Sequence, residues 1–346
     1  MPRIMTMGEL LCEIMRPGED MELFETGDFK GPYPSGAPGI FISTAARLGC
    51  SSGIIAGVGK DDFGKNIIDR LHKDGVDCRW IMESGKGSTG VAFVMYYGNG
   101  ERKFIFHMDN TPAVWPKAPG SLDGMEDTEY FHIMGCSLMA SVEFGQEILK
   151  AMGMFSQKGA KISFDPNVRP ELLREPKAFD MVREAFEGCN IFMPGVQELK
   201  MLTGKGKSKG GASGSPDGGI GMAGKEGIEK EDIAEAVEIA FENKNLEILV
   251  LKNGSKGSSV YTRKGLEVEM GVYPVKQLDP TGAGDSFDAA FICGLAQGKG
   301  LKEAAQMGAA AGALNAAAFG PMEGVITPQN IGKMIGENKF MPAQNR

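Results

Sequence analysis

Three short apolar runs constrain the fold of this chain more than any other feature. Ile162 to Phe164 ends at Asp165, Ile191 to Met193 ends at Pro194, and Ile248 to Leu251 ends at Lys252. Amphipathic stretches stand between them. The clearest is Glu231 to Asn243, with Ile233, Val237 and Ala240 on one face. Strands this short, apolar throughout and alternating with helices, predict an α/β domain whose mostly parallel sheet is covered on both faces. In such sheets ligands gather in the crevice at the carboxyl ends of the strands. All three runs end there on polar or turn residues, which makes Asp165, Pro194 and Lys252 candidates to line it.

The chain is long enough, at 346 residues, for one large α/β domain and a smaller element. Its apolar fraction of 42% and charged fraction of 24% are those of a globular protein. The net charge of −8 argues against a broad nucleic-acid or membrane surface, but local amides and a few cations can still hold a phosphate. Six scattered cysteines (Cys12, Cys50, Cys78, Cys136, Cys189 and Cys293) form no CxxC pair and read as reduced thiols. The apolar run Ile4 to Leu11 is interrupted by Glu9, and Ala-rich Gly308 to Phe319 is too short for a bilayer span. A cytoplasmic protein is expected. His72, His107 and His132 lack metal-ligand spacing and are expected to be surface or packing residues.

Two stretches do not fit strand–helix alternation. Val91 to Tyr97 and Lys103 to His107 flank Gly98-Asn99-Gly100, the signature of a β-hairpin. Residues 12–35 carry Pro17, Pro32 and Pro34 and read as irregular. Together, segments of about 12–35 and 88–114 suggest a small β lid, near which Lys86, Arg102 and Lys103 read as solvated charges. Within 204–227, ten of 24 residues are Gly, and a segment so poor in apolar side chains reads as a flexible surface insertion. Its dinucleotide-fingerprint, P-loop and nucleophile-elbow matches lack the strand–turn–helix context that such motifs need.

The stretch that carries chemistry is Asp279-Pro280-Thr281-Gly282-Ala283-Gly284-Asp285-Ser286-Phe287. Phe287, Phe291 and Leu295 then recur at helical spacing, so a helix begins near Gly284. Gly282, Ala283 and Gly284 let the backbone turn tightly and present amides at the positive end of that helix. Such an anion hole can stabilise charge on a transferring phosphoryl group, and Asp285 beside it can take a proton from an attacking hydroxyl.

This string resembles the second signature of the PfkB family, the ribokinase-like sugar kinases. Ser35-Gly36-Ala37-Pro38-Gly39, Ala45-Ala46-Arg47-Leu48-Gly49 and Gly57-Val58-Gly59-Lys60-Asp61-Asp62-Phe63-Gly64 resemble the first. Asp165-Pro166-Asn167-Val168-Arg169-Pro170 is similar to the substrate-side motif of fructokinases and 2-keto-3-deoxygluconate kinases. The resemblance implies a three-layer α/β/α fold, one kinase domain over about residues 1–340, and a lid that commonly makes homodimers. It implies ATP and Mg2+ acting on a keto sugar or sugar acid, with Asp285 as base, and it leaves monovalent-cation activation open. It places Glu13, Gly36 and Arg169 at the sugar, Glu198 toward magnesium, and Lys252, Gly254 and Gly257 beside the nucleotide. Gly312 and Asn315 resemble the adenine-pocket wall, although small residues there equally serve helix packing.

Three positions depart from the family pattern. Ile40 stands where an amide is usual, Gly195 replaces the Asn of an Asn-x-x-Glu motif that ends in Glu198, and Met108 stands where an Arg is common. These changes strip polar groups from the sugar side and keep two alternatives in play. One is a nucleoside or other non-sugar kinase of the same fold. The other is a nucleotide or sugar sensor without catalysis, against which the intact Asp285 and its glycines argue.

Overall fold

The computed structural model describes residues 1–98, 101–173, 175–204 and 230–337. The expected insertion beyond Gly204 and the Asn99-Gly100 turn lie outside them. The strands are β1 (Ile4–Met7), β2 (Leu11–Glu19), β3 (Lys30–Ser35), β4 (Ser52–Gly59), β5 (Ile81–Ser84), β6 (Gly90–Tyr96), β7 (Arg102–His107), β8 (Tyr130–Met134), β9 (Lys161–Asp165), β10 (Ile191–Phe192), β11 (Ile248–Lys252), β12 (Ser258–Thr262) and β13 (Gly265–Met270). The helices are α1 (Ala37–Arg47), α2 (Asp62–Asp74), α3 (Gly135–Ala140), α4 (Val142–Gln157), α5 (Pro176–Gly188), α6 (Val196–Leu202), α7 (Lys230–Ala240), α8 (Ala283–Ala296), α9 (Leu301–Ala316) and α10 (Pro328–Glu337).

Among the described residues, the large sheet has nine strands in the order β13-β12-β11-β10-β9-β8-β1-β4-β5. Strands β11 through β5 of that order run parallel, and only β12 and β13 turn back antiparallel. Successive residues of β8 show why both faces must be covered. Phe131 stacks on Phe155 of α4 at 4.4 Å, while the next residue, His132, stacks on Phe41 of α1 at 3.8 Å. Neighbouring side chains on a strand point to opposite faces, so helices lie on both sides of the sheet. His132 is fully buried and burial holds its pKa down near 3, so it packs as a neutral ring, hydrogen-bonded through Nδ1 to Ser163.

The strand ends converge as expected. Asp165 closes β9, Lys252 closes β11, and Pro194 follows β10, all at the carboxyl edge of parallel neighbours. The helix expected over 231–243 is α7, which ends at Ala240.

A second sheet has four strands in the order β3-β2-β6-β7. The β6–β7 hairpin holds the expected antiparallel register, from Val91 opposite His107 to Tyr96 opposite Arg102. Residues 12–35 are not irregular throughout. They form most of β2 and all of β3. Proline misled the sequence reading because it was counted as a strand breaker, yet Pro32 and Pro34 sit on β3, an edge strand, where a missing N–H costs no ladder bond. Among the described residues no helix is long and apolar enough to cross a membrane.

Candidate active site

The site is organised around the turn that starts α8. Gly282 is the N-cap with φ 77°, a left-handed conformation, and a Cβ there would meet the Pro321 carbonyl oxygen at 2.5 Å and Ile40 Cγ2 at 3.1 Å. Only glycine fits. The first-turn amides of Gly284 and Asp285 donate to no acceptor among the described residues, as helix geometry demands for orphan N–H groups. A Cβ on Gly284 would meet only Lys252 Nζ, at 3.9 Å, so a ligand can approach these amides closely. The residues therefore fit a phosphate group.

Asp285 projects from this turn into a buried position and accepts a hydrogen bond from Asn167 Nδ2 at 3.1 Å. Burial, reinforced by the nearby Asp165 charge, pushes its pKa up to about 6, against the pull of Arg169, Lys252 and Arg102. Asn167 was quoted in the sequence motif but given no role. Its left-handed backbone, at φ 38°, turns the amide toward Asp285, and only the folded loop discloses that.

Lys252 is held by two carboxyls. Its Nζ lies 2.8 Å from Asp165 Oδ2 and 2.8 Å from Asp288 Oδ2, and both carboxyls are buried. Burying two carboxyls requires a paired cation, and Lys252 supplies it while its Nζ stays beside the Gly284 turn. Burial raises the Asp288 pKa well above the ordinary range, whereas for Asp165 the attraction of Lys252 overcomes burial and holds it low. Both carboxyls thus share one ammonium, and Asp165 holds the charged form more readily than Asp288. Asp288 was missed because an acidic residue inside an apolar helical run carries no motif.

Glu198 fills the place that the Asn-x-x-Glu resemblance gave it, but its oxygens serve the backbone. Oε1 accepts from the Val168 N–H and Oε2 from the Gly195 N–H, each at 2.7 Å. These two contacts tie the β9 and β10 exits together. Gly195, lacking a side chain, leaves Glu198 to do the capping alone. Among the described residues no group of three or more His, Cys, Asp or Glu could hold a metal.

The residues expected at the sugar meet in one small pocket of about 50 Å³, lined by Glu13, Gly36, Ile40, Arg102, Arg169 and Asp285, with Glu9, Phe104 and Leu172 among the rest. Gly36 has φ 99°, and a Cβ there would meet the Glu9 carbonyl oxygen at 2.4 Å. Ser35 Oγ donates to Glu13 Oε1 at 2.6 Å, while Oε2 is buried without a partner, and burial pushes this carboxyl up to about 7. Arg102 is not the solvated charge expected. It is half-buried, with Nη1 3.5 Å from Thr281 Oγ1, and its pKa is lowered by burial and by the like charge of Arg169. Strand alternation explains this, since Lys103, next in β7, turns the other way to pair with Glu22 at 2.8 Å. Met108 is buried and brings no charge to the pocket.

On the other flank, Gly254 (φ 52°) faces open space, whereas a Cβ at Gly257 (φ 98°) would meet the Met270 carbonyl oxygen at 2.0 Å. The second of these glycines serves the β11–β12 hairpin turn, in which Val250 pairs with Val260. Gly312 packs α9 on α8, with the Ala283 carbonyl oxygen 3.1 Å from a Cβ position. Asn315 is buried and donates from Nδ2 to the Thr281 carbonyl at 2.6 Å. Of the two readings open for Gly312 and Asn315, helix packing and support of the turn is what the geometry favours. A larger cavity, about 710 Å³, lies across Leu172 and is lined by none of the expected site residues.

The family model for pfkB family carbohydrate kinases matches residues 33–328. The chain belongs to this family. It is 27% identical to fructokinase-2 of Solanum habrochaites, over 94% of this chain and 93% of that one. It is 26% identical to 2-dehydro-3-deoxygluconokinase of Bacillus subtilis, over 93% and 95%. An E. coli protein provisionally named ribokinase II, solved with ATP and Mg2+, is 35% identical and superposes with a TM-score of 0.82 over 97% of this chain and 99% of that one. This pfkB-family chain is thus a carbohydrate kinase, a phosphotransferase with an alcohol acceptor, on the ribokinase-like α/β fold.

Replacing Lys252 with Met should destabilise the protein by about 3–5 kcal/mol, because it strands a buried carboxylate. Urea denaturation measures this. A variant as stable as the parent would mean that both aspartic acids are already neutral.

Proposed function

We propose that this kinase transfers the γ-phosphate of ATP to a hydroxyl of a small sugar acid or keto sugar, with Asp285 as general base. The observation that carries the reading is the pairing, in one pocket, of Asp285 with the Arg102 and Arg169 guanidiniums, beside unpartnered amides at the start of α8. Asp285 takes the acceptor's proton as the acceptor oxygen bonds to phosphorus, and the bond from phosphorus to the β–γ bridging oxygen breaks to release ADP. The amides of Gly284 and Asp285 receive the charge that spreads over the transferring oxygens. Magnesium brought with the triphosphate neutralises more of that charge. Glu198 is the described carboxylate nearest in role, through lone pairs left over from its backbone contacts, and Gly254 borders the nucleotide side.

Two guanidiniums converging on so small a pocket favour an acceptor with a carboxylate, because planar forks of donors match that geometry. Glu13 Oε2 suits a hydroxyl of the same molecule. A neutral keto sugar is the second reading, supported by the fructokinase relatives. ADP release across sugars, sugar acids and nucleosides, in sodium and in potassium buffers, separates these. Turnover confined to nucleosides, or none at all, would overturn the proposal.

Arg169→Ala should raise the acceptor KM by about 10-fold or more and leave the ATP KM near the parent value, as expected for a lost charged hydrogen bond. Equal effects on both constants would remove Arg169 from the acceptor.

Asp285→Asn should lower kcat by about 10²–10⁴, the usual cost of losing a general base. Folding should not suffer. Burial raises the Asp285 pKa, so its ionised form costs the folded state stability above about pH 6, and a neutral Asn avoids that cost. In the parent, kcat/KM should fall as pH drops through about 6, where Asp285 gains its proton. Activity within a few-fold of the parent for the variant, or a rate flat across that range, would show that Asp285 is not the base.

The small sheet also presents an apolar outer face. Phe93 contacts Phe29 at 5.8 Å and His107 at 5.7 Å, and Ile105 is 42% exposed. We infer a homodimer through this face. Ile105→Lys should shift the light-scattering mass from dimer toward monomer. A parent that is monomeric at all concentrations would rule the interface out.

A further inference from the structure

Tyr96 is the last residue of β6 and lies opposite Arg102 in the β6–β7 ladder. Its hydroxyl crosses from the small sheet to the turn before α8. There it lies 2.6 Å from Asp279 Oδ1 and 2.6 Å from Thr281 Oγ1. The phenol O–H donates to the Asp279 carboxylate, and its oxygen accepts from the Thr281 hydroxyl. Asp279 is fully buried and is held from other sides too, by the N–H of Thr281 and the N–H of Gly320, each at 2.9 Å. The Thr281 carbonyl is in turn held by Asn315. The phenol does not line the acceptor pocket, so it serves neither as a binding contact nor as a base.

Gly282 and Gly284 make this turn intrinsically loose, since glycine loses more conformational freedom on ordering than other residues. Hydrogen bonds on Asp279 and Thr281 are what fix the residues entering it. Asn315 and Gly320 supply them from the α9 side. Tyr96, with the longer contact from Arg102, supplies them from the small sheet, whose strands also carry Glu13 and Arg102. We propose that Tyr96 is a positioning residue: its hydroxyl ties the sheet that holds the acceptor to the turn that holds the phosphate, so that each keeps the other in register.

Tyr96→Phe removes one oxygen and keeps the ring, so the packing of β6 stays. Three measurements decide the matter. Calorimetry should show Mg2+ and a non-hydrolysable ATP analogue binding about 3- to 12-fold more weakly, the range of one lost hydrogen bond. Hydrogen exchange should quicken at residues 281–286 and not along β8 and β9. Steady-state kinetics on the best acceptor of the panel should show a lower kcat and a raised ATP KM, with the acceptor KM near the parent value. Thr281→Ser, which keeps the hydroxyl, should restore the parent values, and Thr281→Val should behave like Tyr96→Phe. Unchanged analogue affinity and unchanged exchange in Tyr96→Phe would overturn the proposal, as would a general loss of melting temperature with exchange faster everywhere. If the parent fails to bind the analogue, the phosphate-site reading falls, while the exchange measurement still tests the brace.

Discussion

The architecture of the site depends on one buried ammonium. Lys252 sits between Asp165 and Asp288 and so joins the end of β9, the end of β11 and the first turns of α8. Removing any of these charges from water alone would be prohibitive; together they are tolerated because the ammonium is shared by two oxygens at hydrogen-bond distance. The geometric consequence is that α8 must start over the carboxyl edge of the parallel sheet, with its N-terminal amides facing the crevice. The electrostatic consequence reaches Asp285, whose carboxyl feels burial and Asp165 in one direction, and Arg169, Lys252 and Arg102 in the other. The raised pKa of that carboxyl, about 6, emerges from the balance rather than from one neighbour.

The acceptor side is built on a different principle. The large sheet contributes Arg169 from the loop after β9, and the small sheet contributes Glu13 and Arg102 from β2 and β7. Neither sheet holds a complete pocket. Two buried carboxyl groups with raised pKa values, Glu9 and Glu13, face two guanidiniums without a close ion pair to either among the described residues. Ser137 and Cys136 donate to Glu9 and Ser35 donates to Glu13, so of these carboxyl oxygens only Glu13 Oε2 is buried without a partner. The departures at Ile40 and Met108 fit this reading. Ile40 packs against Gly282, Met108 follows the end of β7 as a buried apolar residue, and Arg102 at the start of β7 lines the pocket.

Family membership narrows the chemistry to phosphoryl transfer onto an alcohol, and the resident residues narrow the acceptor further by charge. A sequence that keeps the turn from Asp279 to Asp285 while varying the polar groups above it can change substrate without disturbing transfer, because the two sets lie on separate elements. Contacts such as those of Tyr96 then matter, since they let separately built halves act together.

Much of this was legible in the chain itself. Apolar runs ending at Asp165, Pro194 and Lys252 determined a parallel sheet and its crevice, because a fully buried strand admits polar residues only where it leaves the sheet. The glycines at 282 and 284 and the following helical period determined an amide-lined turn with Asp285 in it, because local backbone freedom and helix geometry are properties of neighbours in sequence. Tertiary structure alone decided the rest. Lys252 became the counter-ion of two buried carboxyls, Arg102 became a pocket wall instead of a solvated charge, and Asn315 turned to support the Thr281 carbonyl. Prolines at 32 and 34 became edge-strand residues once β2 was there to pair with. In each case the deciding partner lies far away along the chain, and the cost of burying a charge or an amide is set by that partner, which no local pattern encodes.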